Sequence, residues 1–217
     1  MKTQRWRITF AKTEAMRYTG HLDLILTWER TFRRSGLPLS YSEGFNPRPV
    51  FNLAAPLPLG YTSQGEIGDF WLSDIMSLNE FSSSLDRALP PGLAIHDIEE
   101  VPQLHGNKLP SLVQAAIYRM TLDKFSPGLE DRIGELLTAK TLPRERKGKE
   151  YDLRLLINEL TLTAPEDAKL FVIETQLSLL PGATGRPDEV LSALEIDPLS
   201  AKICRVNIIL KSSPSNS

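Results

Sequence analysis

In "RWRITF", residues 5–10, Trp6, Ile8 and Phe10 alternate with Arg5, Arg7 and Thr9. That is the period of two of a strand with one packed face, and its other face reads as basic. The period then lengthens. Leu24, Ile25, Trp28 and Phe32 fall at i, i+1, i+4 and i+8 and predict a helix from about His21 to Ser35, ended by Gly36. Beyond a loop rich in Gly and Pro, "FNLAAPLPLG" and "EIGDFWLS" read as strands, "LNEFSSSLDRAL" as a helix and "LAIHDIEEV" as a strand.

The order β-α-β-β-α-β is the ferredoxin-like pattern, an antiparallel sheet with both helices on one face. After "PQLHGNKLPS", whose Pro, Gly and Asn mark a boundary, the order repeats. "AAIYRMTLD" predicts a strand and "GLEDRIGELLTA" a helix. "LRLLINELTL" and "KLFVIETQLS" predict strands, "RPDEVLSAL" a short helix with Pro187 in its first turn, and "KICRVNIIL" a closing strand. The expectation is an α+β protein of two ferredoxin-like units, residues 1–104 and 113–210, followed by a disordered tail at 211–217. No literal repeat accompanies the duplication, which rests on element order.

Composition, at 217 residues with 41% hydrophobic and 24% charged, is that of an ordinary globular chain with room for a core. No apolar run approaches the roughly 18 residues of a membrane span, and "MKTQRWRITF" alternates instead of leading into a signal sequence, so a cytoplasmic location is expected. Cys204 stands alone, which excludes a disulfide framework, a zinc ribbon or an iron–sulfur cluster built by this chain. His21, His96 and His105 are scattered without metal-ligand spacing, so no metal site is expected. Charge changes the picture more. Residues 1–48 carry nine Lys or Arg against four acids, a local +5 that leaves −7 for the remainder, and "KTLPRERKGK" at 140–149 adds five cations against Glu145. Such asymmetry suits an anionic partner, nucleic acid first, although charge runs also serve simply as solvated faces.

Asp23, Thr27, Arg30 and Arg34 follow one another at helical spacing opposite the Leu24/Trp28/Phe32 stripe and form a candidate exposed polar stripe. Glu29 and Arg33 make an i, i+4 pair, while Arg30 and Arg34 have no comparable local partner. His21, in the first helical turn where the dipole disfavours a cation, reads either as a base or ligand contact or as a capping residue. In "LPLSYSEGFNPRP" three prolines and Gly44 restrict the path. Tyr41, Phe45, Asn46 and Arg48 then offer a stacking surface and a phosphate contact for an unpaired base, or else the two aromatics pin the loop to the sheet. "PGATGRPDEV" is a second candidate, with Arg186 at the mouth of a helix start that could hold an anion, or a plain strand-to-helix turn. No strand carries the aromatic pattern of an RNA-recognition motif.

The segments "HLDL", "ERTFRRSGLPLSYSEGFNPRP", "APLPLGYTSQGE" and "GRPDEVLSAL" resemble the bacterial radical-SAM-associated domain of unknown function over nearly the whole chain. The family's turn usually carries histidine where Arg48 stands. The resemblance implies a domain encoded beside, or fused C-terminal to, a radical SAM protein with a cobalamin-binding region. It places the iron–sulfur cluster, S-adenosylmethionine and cobalamin on that partner and no cofactor on this chain.

The leading expectation is therefore a non-catalytic accessory protein that binds an anionic substrate such as RNA and presents it to a radical SAM partner. Arg30, Arg34, Arg48 and the outlying Arg186 would hold phosphate, Tyr41 and Phe45 would stack, and His21, Asp23 and Asn46 would shape the pocket. Two alternatives remain: a metal-independent RNA endonuclease using His21 and the 182–186 loop, by fold analogy, and a purely structural protein-interaction partner.

Overall fold

The computed structural model describes residues 2–102, 108–124, 126–163 and 170–211; His105 and the rest of 103–107 within the expected boundary segment, and residues 212–217 of the expected tail, lie outside them. It is a mixed α and β structure that divides into two compact units, Met1–Val113 and Gln114–Ser217.

In the first unit β1 (Gln4–Lys12) is followed by α1 (His21–Ser35), β2 (Phe51–Leu53), β3 (Thr62–Leu72), α2 (Leu78–Asp86), β4 (Leu93–Glu100) and the single-turn α3 (Leu109–Leu112). Strand β1 lies between β3 and β4, and β2 borders β3, every one of these pairings antiparallel. Trp6, Ile8 and Phe10 of β1 face both helices. Trp6 stacks on Phe81 of α2 at 5.2 Å, and Phe10 meets Trp28 of α1 edge-on at 4.9 Å. Leu24, Trp28 and Phe32 are buried as the helical spacing predicts, while Ile25 is half-buried at the margin. Helix α1 stops at Gly36, whose φ of 70° is the left-handed conformation glycine reaches without strain. Helix α2 starts at Ser77 with a reciprocal cap, Ser77 accepting from the Glu80 amide while Glu80 accepts from the Ser77 amide.

Two expectations change here. The strand expected across "FNLAAPLPLG" is only Phe51–Leu53, because Pro56 and Pro58 have no N–H to donate to a ladder. The basic face expected on β1 is covered. Arg5 and Arg7 converge on Asp69, which stands opposite Arg7 on β3 and is fully buried.

In the second unit the order is β5 (Val113–Leu122), α4 (Leu129–Thr138), β6 (Pro143–Arg146), β7 (Lys149–Asp152), β8 (Ile157–Thr163), β9 (Phe171–Leu180), β10 (Ala183–Thr184), α5 (Pro187–Ala193) and β11 (Ala201–Leu210). Strand β9 carries β5 on one edge and β8 then β10 on the other, all antiparallel, and β11 borders β5. The hairpin β6–β7 occupies much of the segment read as a basic run. Lys147 and Gly148 both have positive φ, 52° and 74°, the geometry of a tight hairpin turn.

Candidate functional site

The stretch from α1 into the following loop builds a projecting feature. Tyr41 and Pro49 form an antiparallel bridge, the Ser42 amide donates to the Arg48 carbonyl at 2.9 Å, and the Arg48 amide donates to Ser42 Oγ at 3.0 Å. Below this neck the Val50 amide donates to the Ser40 carbonyl at 2.8 Å, and Leu39 bridges Leu72 of β3. The base is thereby held by the sheet while Tyr41 through Arg48 are all exposed. Phe45 is fully exposed and Tyr41 is 48% exposed, so neither ring is spent pinning the loop.

Arg48 reaches back to α1, with Nη1 3.7 Å from Glu29 Oε1. The expected Glu29–Arg33 pair is thus replaced by a link between helix and loop. Arg30, one residue on from Glu29, is exposed and forms no hydrogen bond or ion pair among the described residues. Arg34 differs from the expectation. Its Nη2 donates to the Ala88 carbonyl at 2.9 Å and to Thr31 Oγ1 at 3.3 Å, tying α1 to the end of α2. Asp23 is exposed in the first turn, where its charge suits the helix dipole, and its carbonyl accepts from Thr27 Oγ1 at 2.8 Å. His21 is half-buried with Nδ1 turned inside.

Structure therefore gathers Tyr41, Phe45, Asn46 and Arg48 on one loop and sets Arg48 beside Glu29 of α1, with Arg34 directed elsewhere. Periodicity also held an overlooked signal. Leu22 and Leu26, one helical turn apart and off the buried stripe, are exposed, and so are Tyr18 and Leu59. Their neighbours Arg17 and Gly60 exchange hydrogen bonds, Gly60 N to the Arg17 carbonyl at 3.1 Å and Arg17 Nε to the Gly60 carbonyl at 2.9 Å.

Much of the charge counted in residues 1–48 is internal. Besides Arg5 and Arg7, Lys12 is buried with Nζ donating to the carbonyls of Tyr61 at 2.9 Å and Arg17 at 3.2 Å.

In the second unit Arg186 folds onto Asp188, Nε to Oδ1 at 3.0 Å and Nη2 to Oδ2 at 2.8 Å. Gly185 lies where a Cβ would meet Leu177 and Leu156 side chains at 3.1 and 3.2 Å, so close packing accounts for that glycine. Arg146, from the basic run, clasps Glu189 of α5 through Nε at 2.8 Å and through Nη2, and its Nη1 donates to the Thr184 carbonyl at 3.1 Å. Its guanidinium also lies over the Tyr151 ring at 4.9 Å. Burial works to raise the Glu189 carboxyl, but hydrogen bonds from Arg146 and Tyr151 and the charges of Arg146 and Arg186 outweigh it and leave the group lowered. A cavity of about 390 Å³ lies beside this clasp, lined by Arg146, Lys149, Tyr151, Leu156 and Thr184 among others. Arg146 is thus already committed inside the protein.

Among the described residues no group of three or more His, Cys, Asp or Glu is placed to hold a metal ion, and no helix is long and apolar enough to cross a membrane.

The family model of DUF2344, "Uncharacterized protein conserved in bacteria", matches residues 5–186. No curated protein matches the sequence. Among solved structures, one described as "Crystal structure of putative glycine cleavage system transcriptional repressor" aligns over 96% of this chain and 98% of that chain, at 11% identity and a TM-score of 0.26.

Proposed function

The chain belongs to the DUF2344 family of uncharacterized proteins conserved in bacteria, and from that premise we propose that it is a non-catalytic accessory protein that binds single-stranded RNA on its α1–loop face and presents it to a radical SAM partner. The iron–sulfur cluster, S-adenosylmethionine and cobalamin-binding region belong to that partner. In this reading each unit is ferredoxin-like. The first unit's β-α-β-β-α-β order, its strand sequence β2-β3-β1-β4 and its two helices on one face support that assignment.

The observation that carries the functional reading is the loop tip. A fully exposed Phe45 and a half-exposed Tyr41 project on a neck closed by main-chain hydrogen bonds, with the exposed Arg48 on the same loop and the exposed Arg30 on α1, the helix that Arg48 reaches through Glu29. Exposed aromatics stack unpaired bases at about 1–3 kcal/mol each, and flanking arginines hold the phosphates without reading sequence. Arg34 and Arg186 are each engaged inside their own unit, and the reading does not rest on them.

The test is labelled single-stranded RNA incubated with the purified chain in chelator. Retention without cleavage, weakened about tenfold or more by Phe45→Ala, supports the reading. Arg30→Ala should also lower the slope of log K against log salt by about one. Cleavage would instead favour an endonuclease using His21. Absence of both would favour a second reading, in which exposed apolar side chains of the first unit, Leu22 and Leu26 of α1 with Tyr18 and Leu59, dock a protein.

A further inference from the structure

The C-terminal ends of α1 and α2 enclose an open cavity of about 570 Å³ lined by Arg34, Ser35, Ser84, Arg87 and Ala88. We infer that this cavity is a binding site for a phosphoryl group, with Arg34 and Arg87 as its guanidinium clamps and Ser84 as its hydroxyl donor. The site stands apart from the 41–48 loop and does not depend on what that loop binds.

Both cations are positioned through main-chain anchors. Arg34 Nη2 donates to the Ala88 carbonyl at 2.9 Å, and Arg87 Nε donates to the Ser83 carbonyl at 3.0 Å. The Ala88 anchor brings Arg34 to the residue that follows Arg87. Each anchor uses one nitrogen and leaves the others uncommitted, since Nε and Nη1 of Arg34 and both Nη atoms of Arg87 meet no acceptor among the described residues. Ser84 Oγ likewise makes no hydrogen bond there. Ser35 Oγ is occupied, donating to the Phe32 carbonyl at 2.8 Å.

No carboxylate lines the cavity. This contrasts with Arg5 and Arg7, which Asp69 answers, and with Arg146, which Glu189 answers. A helix C-terminus favours a nearby cation, which accounts singly for Arg34 in the last turn of α1 and for Arg87 at the C-cap of α2. It does not account for two guanidiniums lining one space to which no carboxylate contributes, where an entering anion would offset their like charges. Several N–H donors in fork geometry with a neighbouring hydroxyl match the three acceptor oxygens of a phosphoryl group better than the two of a carboxylate.

Thermal unfolding of the full chain in phosphate and in chloride, at equal pH and ionic strength, tests this. Phosphate should raise the melting temperature of the parent, and calorimetric titration of inorganic phosphate should show one site. Arg87→Ala removes an exposed side chain from beyond the buried Phe81 and Leu85, so the fold should persist while phosphate binds about tenfold or more weakly. Ser84→Ala is the second variant and should weaken binding by a smaller factor in the same direction. A 5′-phosphorylated oligoribonucleotide and glycerol phosphate separate the two sources of the group. Preference for the former assigns the site to an RNA end, and equal affinity assigns it to a small phosphate monoester. No phosphate response in the parent, or an equal response in the parent and Arg87→Ala, would overturn the inference. Loss of RNA binding in Phe45→Ala with the phosphate response intact leaves both proposals standing. A phosphate response in a chain that never binds RNA removes only the loop reading.

Discussion

Replacing Asp69 with alanine should be among the most damaging single changes in the first unit, although the carboxylate touches no exposed surface. Asp69 is 0% exposed and accepts from Arg7 Nε at 2.8 Å, from Arg7 Nη2 at 3.1 Å and from Arg5 Nη2. The side chains of Arg5 and Arg7 are themselves only 3% and 16% exposed, and Arg5 also lies over the Trp71 ring at 5.0 Å. Without Asp69 two largely buried guanidiniums, side by side on one face of β1, lose their shared counter-charge, and only the more exposed Glu99, 3.7 Å from Arg7 Nη1, remains beside Arg7 among the described residues. Breaking a buried pair in this way costs about 3–5 kcal/mol, far more than the pair itself contributes relative to apolar packing. The assay is urea unfolding followed by tryptophan fluorescence. All three tryptophans, Trp6, Trp28 and Trp71, lie in the first unit, so the signal reports that unit alone. With a urea dependence of about 1–3 kcal/mol per molar, the midpoint should fall by about 2 M. The cycle of Arg7→Ala, Asp69→Ala and the double variant should show coupling above about 1 kcal/mol. A loss below about 1 kcal/mol for Asp69→Ala, or additive single changes, would refute the account of β1's second face.

Arg30→Ala should leave the same unfolding curve within about 0.5 kcal/mol, whereas Arg34→Ala should cost about 1 kcal/mol through its lost bond to Ala88, discounted for partial exposure; equal curves would remove Arg34's role as a link between α1 and α2. Trp28→Ala should cost about 3–5 kcal/mol, because the indole is fully buried against Phe10, Phe32 and Phe70, and a value under about 2 would mean the cavity collapses readily. Glu189 is lowered in the folded chain, so its contribution is present above the unfolded carboxyl value of about 4.3 and disappears as pH falls through the lower folded value. Melting followed by far-ultraviolet circular dichroism should accordingly show parent and Glu189→Gln well separated at neutral pH and converging below about pH 4; a gap that does not change with pH would sink the clasp argument.

Sequence alone was sufficient for β1 and α1. Alternation through Trp6, Ile8 and Phe10, helical spacing through Leu24, Trp28 and Phe32, and Gly36 at the stop are short-range properties that any fold must respect. The exposure of the 41–48 loop was partly legible too, in its prolines and Gly44, though whether Phe45 faced solvent or sheet was not. Elsewhere local pattern misled. The "KTLPRERKGK" run concealed a hairpin, since Arg144–Arg146 and Lys149–Tyr151 present no apolar alternation, and the contact securing Arg146 comes from Glu189, 43 positions away. Arg5 and Arg7 read as a free basic face until Asp69 arrived from β3, and Arg34 read as free until the turn after α2 presented the Ala88 carbonyl. A residue's charge is local information, but whether that charge is spent inside the protein or offered to a ligand depends on which distant group tertiary packing places within hydrogen-bond reach.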